Sequence, residues 1–235
     1  VRKGEIFGLA GESGSGKTTT GRMVLRLIEP TAGKIYFKGA DISEFSEKDF
    51  KPYRRKMQII FQDPYESLNP KMTIIDIVSE PLRIQGLAGK EIDEEVSQVL
   101  EDVQLTPPEE FIYRFPHELS GGQRQRVGVA RALILRPEFI VADEPVSMLD
   151  VSIRAEVLNL MVELVDKYEI SFLYITHDLA LSKHICSRLG VMYLGKIVEI
   201  GDTLKIIDTA LHPYTKALIS AVPVPDPTSK RSETV

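Results

Sequence analysis

The sequence contains one cysteine, Cys186, and no tryptophan. A lone cysteine excludes an internal disulfide framework and cannot by itself hold a structural zinc or an iron–sulfur cluster; a reduced, cytosolic setting fits it. No apolar run approaches the roughly 20 residues needed to span a bilayer, and no basic segment followed by an apolar one opens the chain, so any membrane connection is expected to go through a partner. A basic face is also lacking. The net charge is −5, and the longest basic run, Arg54-Arg55-Lys56, reads as a solvated helix end, so no nucleic acid is expected as a partner. What the chain does have is length and apolar content: 235 residues, 43% hydrophobic, suited to one large or two small globular domains.

The stretch Gly11-Glu12-Ser13-Gly14-Ser15-Gly16-Lys17-Thr18 follows the apolar run IFGLA and precedes a helix-compatible segment over residues 19–28. Strand, glycine loop and helix in that order match G-x-x-x-x-G-K-[ST]. In that motif glycines let backbone N–H groups surround phosphate oxygens, and the lysine adds a point charge. The helix that follows directs the positive end of its dipole at the same anion. Nucleoside triphosphate binding is the working expectation. The first strand starts within a few residues of Val1, so an element that holds the base is expected to be absent or to lie elsewhere.

Further along, residues 34–39 read as a short antiparallel strand ending at a glycine, and residues 46–54 as a helix that Pro52 should end. Residues 57–61 are a buried-strand candidate followed by Gln62. Residues 63–70, with two prolines, read as a loop. Two helices are expected over 74–85, interrupted at Pro81, and over 92–103, separated by Gly86 and Gly89. Ser120 is placed to cap a helix that Pro137 stops. The apolar run FIVA then delivers Asp143 and Glu144, a long amphipathic helix spans 151–168, and a second apolar run, SFLYIT, delivers His177. Residues 189–199 look like a hairpin, and the remainder like two short helices and a tail with Pro223, Pro225 and Pro227.

Alternating strands and helices around a phosphate loop imply an α/β fold, a mostly parallel sheet with its site at the strand carboxyl ends. There the Thr18 hydroxyl and the Asp143 carboxylate would hold Mg²⁺, a cation that takes oxygen ligands and keeps several waters. Glu144, next along the chain, is placed to orient or deprotonate an attacking water. His177 and Gln62 carry no role from position alone, since a histidine at a strand end is often satisfied locally and a glutamine after a strand is ordinary. Ser120-Gly121-Gly122-Gln123 is a second anion-binding type of element, a serine cap and two glycines at a helix N-terminus. Two such elements are redundant on one nucleotide, which suggests that each completes a site formed mainly by another copy.

GESGSGKT, the glutamine of FQDP, LSGGQ, FIVADE, SMLD and ITHD, in this order and over nearly the whole chain, resemble the ATP-binding cassette (ABC) ATPases. The resemblance implies a P-loop NTPase, RecA-like core over 1–70 and 136–201 with a reduced antiparallel β portion near 33–39. A helical subdomain with LSGGQ would span 71–135, and C-terminal helices with a proline-rich tail 202–235. It implies ATP and Mg²⁺ as cofactors. The loop from Gly11 through Lys17 and Thr18 to Thr19 would bind phosphates, and Thr18, Gln62 and Asp143 would serve Mg²⁺. Glu144 would be the general base and His177 the γ-phosphate switch. Ser120 to Gln123 would contact ATP held by the opposite subunit, and Asp150 would lie in the loop that communicates across the dimer. The family more often has alanine at the position of Met148.

FQDPYESLNP, RFPHELSGGQRQRVGVARAL and HPYTKALISAVPVPDP resemble, more narrowly, the oligopeptide/dipeptide and nickel importers. This implies an ATPase at the cytoplasmic face of the membrane, paired with a like subunit and docked on transmembrane permease subunits through residues 62–69 and the helix from 73. The cysteine cluster of the longer members is absent from this sequence, as are the upstream strands with an adenine-stacking aromatic, which implies weaker adenine binding if this chain is the whole molecule. A second reading is a soluble cassette ATPase acting on DNA or ribosomes. A third is a nucleotide-binding module without turnover of its own.

Overall fold

The computed structural model describes residues 1–87 and 90–221; Gly89 and the proline-rich tail of the expectations above lie outside them. In chain order its strands are β1 (Ile6–Ala10), β2 (Tyr36–Phe37), β3 (Ala40–Asp41), β4 (Met57–Ile60), β5 (Phe139–Asp143), β6 (Ser171–Thr176), β7 (Arg188–Tyr193) and β8 (Lys196–Asp202). Six of them form one sheet, ordered β4-β5-β6-β1-β7-β8, parallel except for the β7–β8 hairpin. The strands alternate their side chains between two cores. Ile140, Ala142, Phe172 and Tyr174 point to one face, and Phe139, Val141, Leu173 and Ile175 to the other, which is why these runs are apolar throughout.

The helices are α1 (Lys17–Val24), α2 (Glu47–Lys56), α3 (Pro64–Ser67), α4 (Ile74–Ile84), α5 (Lys90–Asp102), α6 (Gly121–Leu133), α7 (Val151–Tyr168), α8 (Leu179–Ile185), α9 (Thr203–Thr209) and α10 (Pro213–Ser220). The first core packs residues of α4 to α7 on one face of the sheet, and the second packs Leu25, Ile42 and Phe50 on the other. A third, smaller cluster joins Ala10, Leu189 and Val191 to Ile206 of α9, with Tyr214 and Leu218 of α10 packed against it. Cys186 is buried at the first core, and burial pushes its thiol up to about 12, so at neutral pH it is an apolar side chain rather than a thiolate. Among the described residues, no helix is long and apolar enough to cross a membrane.

Four expectations fail locally. The segment 34–39 is half of a hairpin rather than one strand: Lys38 and Gly39 both take positive φ and turn β2 back onto β3. Pro52 does not end α2, and Pro81 does not interrupt α4. A proline inside a helix costs about 3 kcal/mol, and burial of Phe50 in α2 and of Ile74, Ile77, Val78 and Leu82 in α4 offsets it. The stretch 63–70 holds a one-turn helix, α3, because the Asp63 carboxylate accepts the Tyr65 and Glu66 amides and Pro64 sits in the first turn, where it needs no N–H partner.

Candidate nucleotide site

Sheet register brings the chain's polar motifs to one edge. Ala10 lies beside Thr176 and Val191, and Asp143 beside Ile175, so Gly11, Glu144 and His177 leave β1, β5 and β6 at the same level. Gly11, Gly14 and Gly16 take φ of 155°, 80° and 102°, a region that β-carbons disfavour, and this bends the loop around its own amides. Ser15 is buried under the loop. The Lys17 ammonium, 5% exposed, donates to the Gly11 and Glu12 carbonyls at 2.8 Å each. Its pKa is lowered, because burial outweighs the attraction of Glu144, Asp143 and Glu12. No side chain caps α1. The amides of its first turn, from Lys17 through Thr18 to Thr19, are therefore left for an outside acceptor.

Across the loop, Thr18 Oγ1 donates to Asp143 Oδ1 at 3.0 Å. Burial pushes the Asp143 carboxyl above its ordinary range, against the Thr18 hydrogen bond and the positive charges of Arg22 and Lys17. Glu144 follows with φ 46°, left-handed for a residue with a β-carbon, and its amide donates to the Ile175 carbonyl at 3.0 Å. Such a conformation costs on the order of 1–3 kcal/mol and gathers at functional sites. It turns the Glu144 side chain out of the sheet to meet two others: Gln62 Nε2 donates to Glu144 Oε2 at 3.3 Å, and His177 Nδ1 lies 3.0 Å from the same oxygen. The structure thus joins Gln62 and His177, which sequence position alone left without a role, to Glu144.

These groups surround an open pocket of about 660 Å³. The loop and the start of α1 form one wall, Gln62, Glu144 and His177 another, and Leu218 of α10 adds an apolar contact that the sequence did not signal. The residues fit a magnesium nucleotide. Uncapped amides and a buried ammonium suit an anion, and Thr18, Asp143 and Gln62 each carry a side-chain oxygen of the kind magnesium takes. Among the described residues no cluster of three or more His, Cys, Asp or Glu side chains could hold a metal ion.

Ser120, Gly121, Gly122, Gln123 and Asp150 are not among the residues lining this pocket. Ser120 Oγ accepts the Gln123 amide and Gln123 Oε1 accepts the Ser120 amide, a reciprocal capping box that opens α6. A β-carbon on Gly122 would lie 2.5 Å from Ile153 Cγ2, so this glycine lets α6 approach α7. Asp150 sits at the cap position of α7 without making a capping bond.

A phosphate loop between strand β1 and a helix, with a carboxylate pair at the end of the parallel strand β5 two places away in the sheet, defines a P-loop NTPase. The model of the ABC transporter family matches residues 1–147, and that of the oligopeptide/dipeptide transporter C-terminal region matches residues 198–235. The chain belongs to the ABC transporter family. It is 52% identical to the oligopeptide transport ATP-binding protein OppF of Bacillus subtilis, over 99% of this chain and 76% of that one. It is 51% identical to AppF of the same organism, over 95% and 68%. Among solved structures it resembles cbiO1 from Clostridium perfringens, part of the ABC transporter complex cbiONQ, with a TM-score of 0.81 and 27% identity over 89% of this chain and 81% of that one. It also resembles the dimeric post-hydrolysis state of the ATP-binding cassette MJ0796 bound to ADP and Pi, with a TM-score of 0.76 and 28% identity over 86% and 87%.

Proposed function

We propose that this protein is the ATP-hydrolysing subunit of an ABC importer that powers uptake of peptides or a related solute through membrane permease subunits. It works as a dimer of cassettes at the cytoplasmic face of the membrane. The observation that carries the catalytic part is the meeting of Gln62, Glu144 and His177 on one carboxylate oxygen, beside the Thr18–Asp143 pair. The peptide substrate is supported by the relatives' names and by the C-terminal region match.

In this reading the loop from Gly11 to Thr19, through the amides left free in it, and the Lys17 ammonium bind the phosphates. Thr18, Gln62 and Asp143 would hold Mg²⁺, which would supply charge neutralisation to the phosphates. The Glu144 carboxylate accepts a proton from the attacking water. His177, on its Oε2, holds the carboxylate's orientation and reaches toward the γ-phosphate, and Gln62 donates to the same oxygen. Ser120 to Gln123 close the partner's site, and Asp150 lies in the loop between the two. The catalytic core would comprise 1–70 and 136–201, the helical subdomain 71–135, and the C-terminal part 202–235. Mg²⁺-dependent ATP hydrolysis should fall in Glu144→Gln by about 10²–10⁴-fold, the usual worth of positioned acid–base help, with ADP affinity retained. Unaltered turnover in that variant would remove Glu144 from the mechanism.

A further inference from the structure

The HPYT motif of residues 212–215 has no part in the chemistry above, yet the structure carries it to the phosphate loop. Glu199 on β8 fixes the start of α10: its Oε1 accepts the Leu211 amide at 2.9 Å and its Oε2 the His212 amide at 3.1 Å. Burial works to raise the Glu199 pKa, but the Leu211 amide, Thr215 and the His212 amide together outweigh it and hold the carboxyl below its ordinary range. His212 Nδ1 then accepts the Tyr214 amide at 3.1 Å and caps the helix. So anchored, Tyr214 packs against Tyr193 at the end of β7, with ring centroids 4.3 Å apart and the rings tilted by 36°, and its hydroxyl accepts the Glu12 amide at 3.0 Å. Two residues past Tyr193, the Gly195 amide donates to the Ser15 carbonyl at 2.9 Å. One turn beyond Tyr214, Leu218 lines the nucleotide pocket.

We propose that α10 braces the phosphate loop and that Tyr214 is a positioning residue for nucleotide binding. The loop's amides must converge before an anion arrives, and a loop of glycines has large backbone freedom to lose in doing so. The loop is held from two sides: by the Tyr214 hydroxyl at Glu12, before Gly14, and by the Gly195 amide at Ser15, before Gly16. The anchors leave the amides of Lys17, Thr18 and Thr19 free for phosphate. Anything that displaces α10 from Glu199 therefore loosens the loop, which makes the C-terminal segment a part of the nucleotide site.

The proposal rests on the ATPase reading, and the test separates the two. The full chain and its Tyr214→Phe variant, which keeps the ring packed against Tyr193 and deletes the hydroxyl, are titrated with Mg-ADP and with inorganic pyrophosphate by calorimetry. Losing one neutral hydrogen bond predicts weaker binding by about 3- to 10-fold. The loss should be equal for the two ligands, because the brace acts on the loop that holds phosphates, and the melting temperature should stay within about 2 °C. Equal affinities in variant and parent overturn the brace, as does a loss confined to ADP or a lowered melting temperature with affinity intact. If the parent binds neither ligand, the ATPase reading itself fails.

Discussion

Asp143 and Glu144 are chain neighbours with opposite surroundings. Asp143 ends β5 with its side chain facing Thr18, 6% exposed, whereas the left-handed backbone at Glu144 swings the next carboxylate into the open pocket. The folded-state pKa of Asp143 is raised, mainly by burial. A group of that kind contributes stability below its unfolded pKa, about 3.9, and loses it as pH rises through the folded value. At neutral pH the ionised carboxylate is therefore a net cost to folding, retained for the cation it is proposed to bind. Asp143→Asn keeps an acceptor for Thr18 and removes the buried charge. Its melting temperature at pH 7 should equal or exceed the parent's, and the stability that the parent loses as pH rises from about 4 should persist. The extra stabilisation that Mg²⁺ gives with ADP should disappear. A melting temperature several degrees below the parent's at pH 7 would contradict the assignment.

Among the elements, α6 shows how a motif can serve packing and chemistry together. Its capping box uses Ser120 and Gln123, and Gly122 sits where a β-carbon would reach 2.5 Å from Ile153 Cγ2 on α7. Gly122→Ala should therefore push α6 off α7 and destabilise by about 1–3 kcal/mol, the usual cost of overpacking. Because Ile153 supplies the clash, the loss in Gly122→Ala/Ile153→Ala should be smaller than the sum of the two single losses when measured by urea unfolding. Strict additivity would mean that the helices do not meet at Gly122. Gly121 differs: a β-carbon there meets only Leu149, at an ordinary 3.5 Å.

That difference allows a test at the scale of the whole molecule. The pocket in one chain has Gln62, Glu144 and His177 on its wall but not Ser120 to Gln123, which fits a site completed by a second copy. Gly121→Glu should fold, bind Mg-ADP like the parent and lose ATP turnover, because the added side chain and charge stand on the face proposed to close the partner's site. Turnover equal to the parent's would argue that each chain hydrolyses ATP alone.

By itself the sequence determined most of the elements and pointed to the residues of the candidate site. The glycine loop, the uniformly apolar β5 and β6 and the carboxylates at their ends are local patterns, fixed by what a phosphate cradle and a strand buried on both faces require. Helix ends and short turns are less legible: Pro52 and Pro81 read as breaks because their local cost is visible in sequence, while the burial that offsets it is not. Tertiary structure decided which distant groups meet. Gln62 and Glu144 are 82 residues apart, and Glu12 and Tyr214 are 202 apart. No periodicity links residues at such separations; parallel strand register places the first pair, and the Glu199 anchor of α10 places the second.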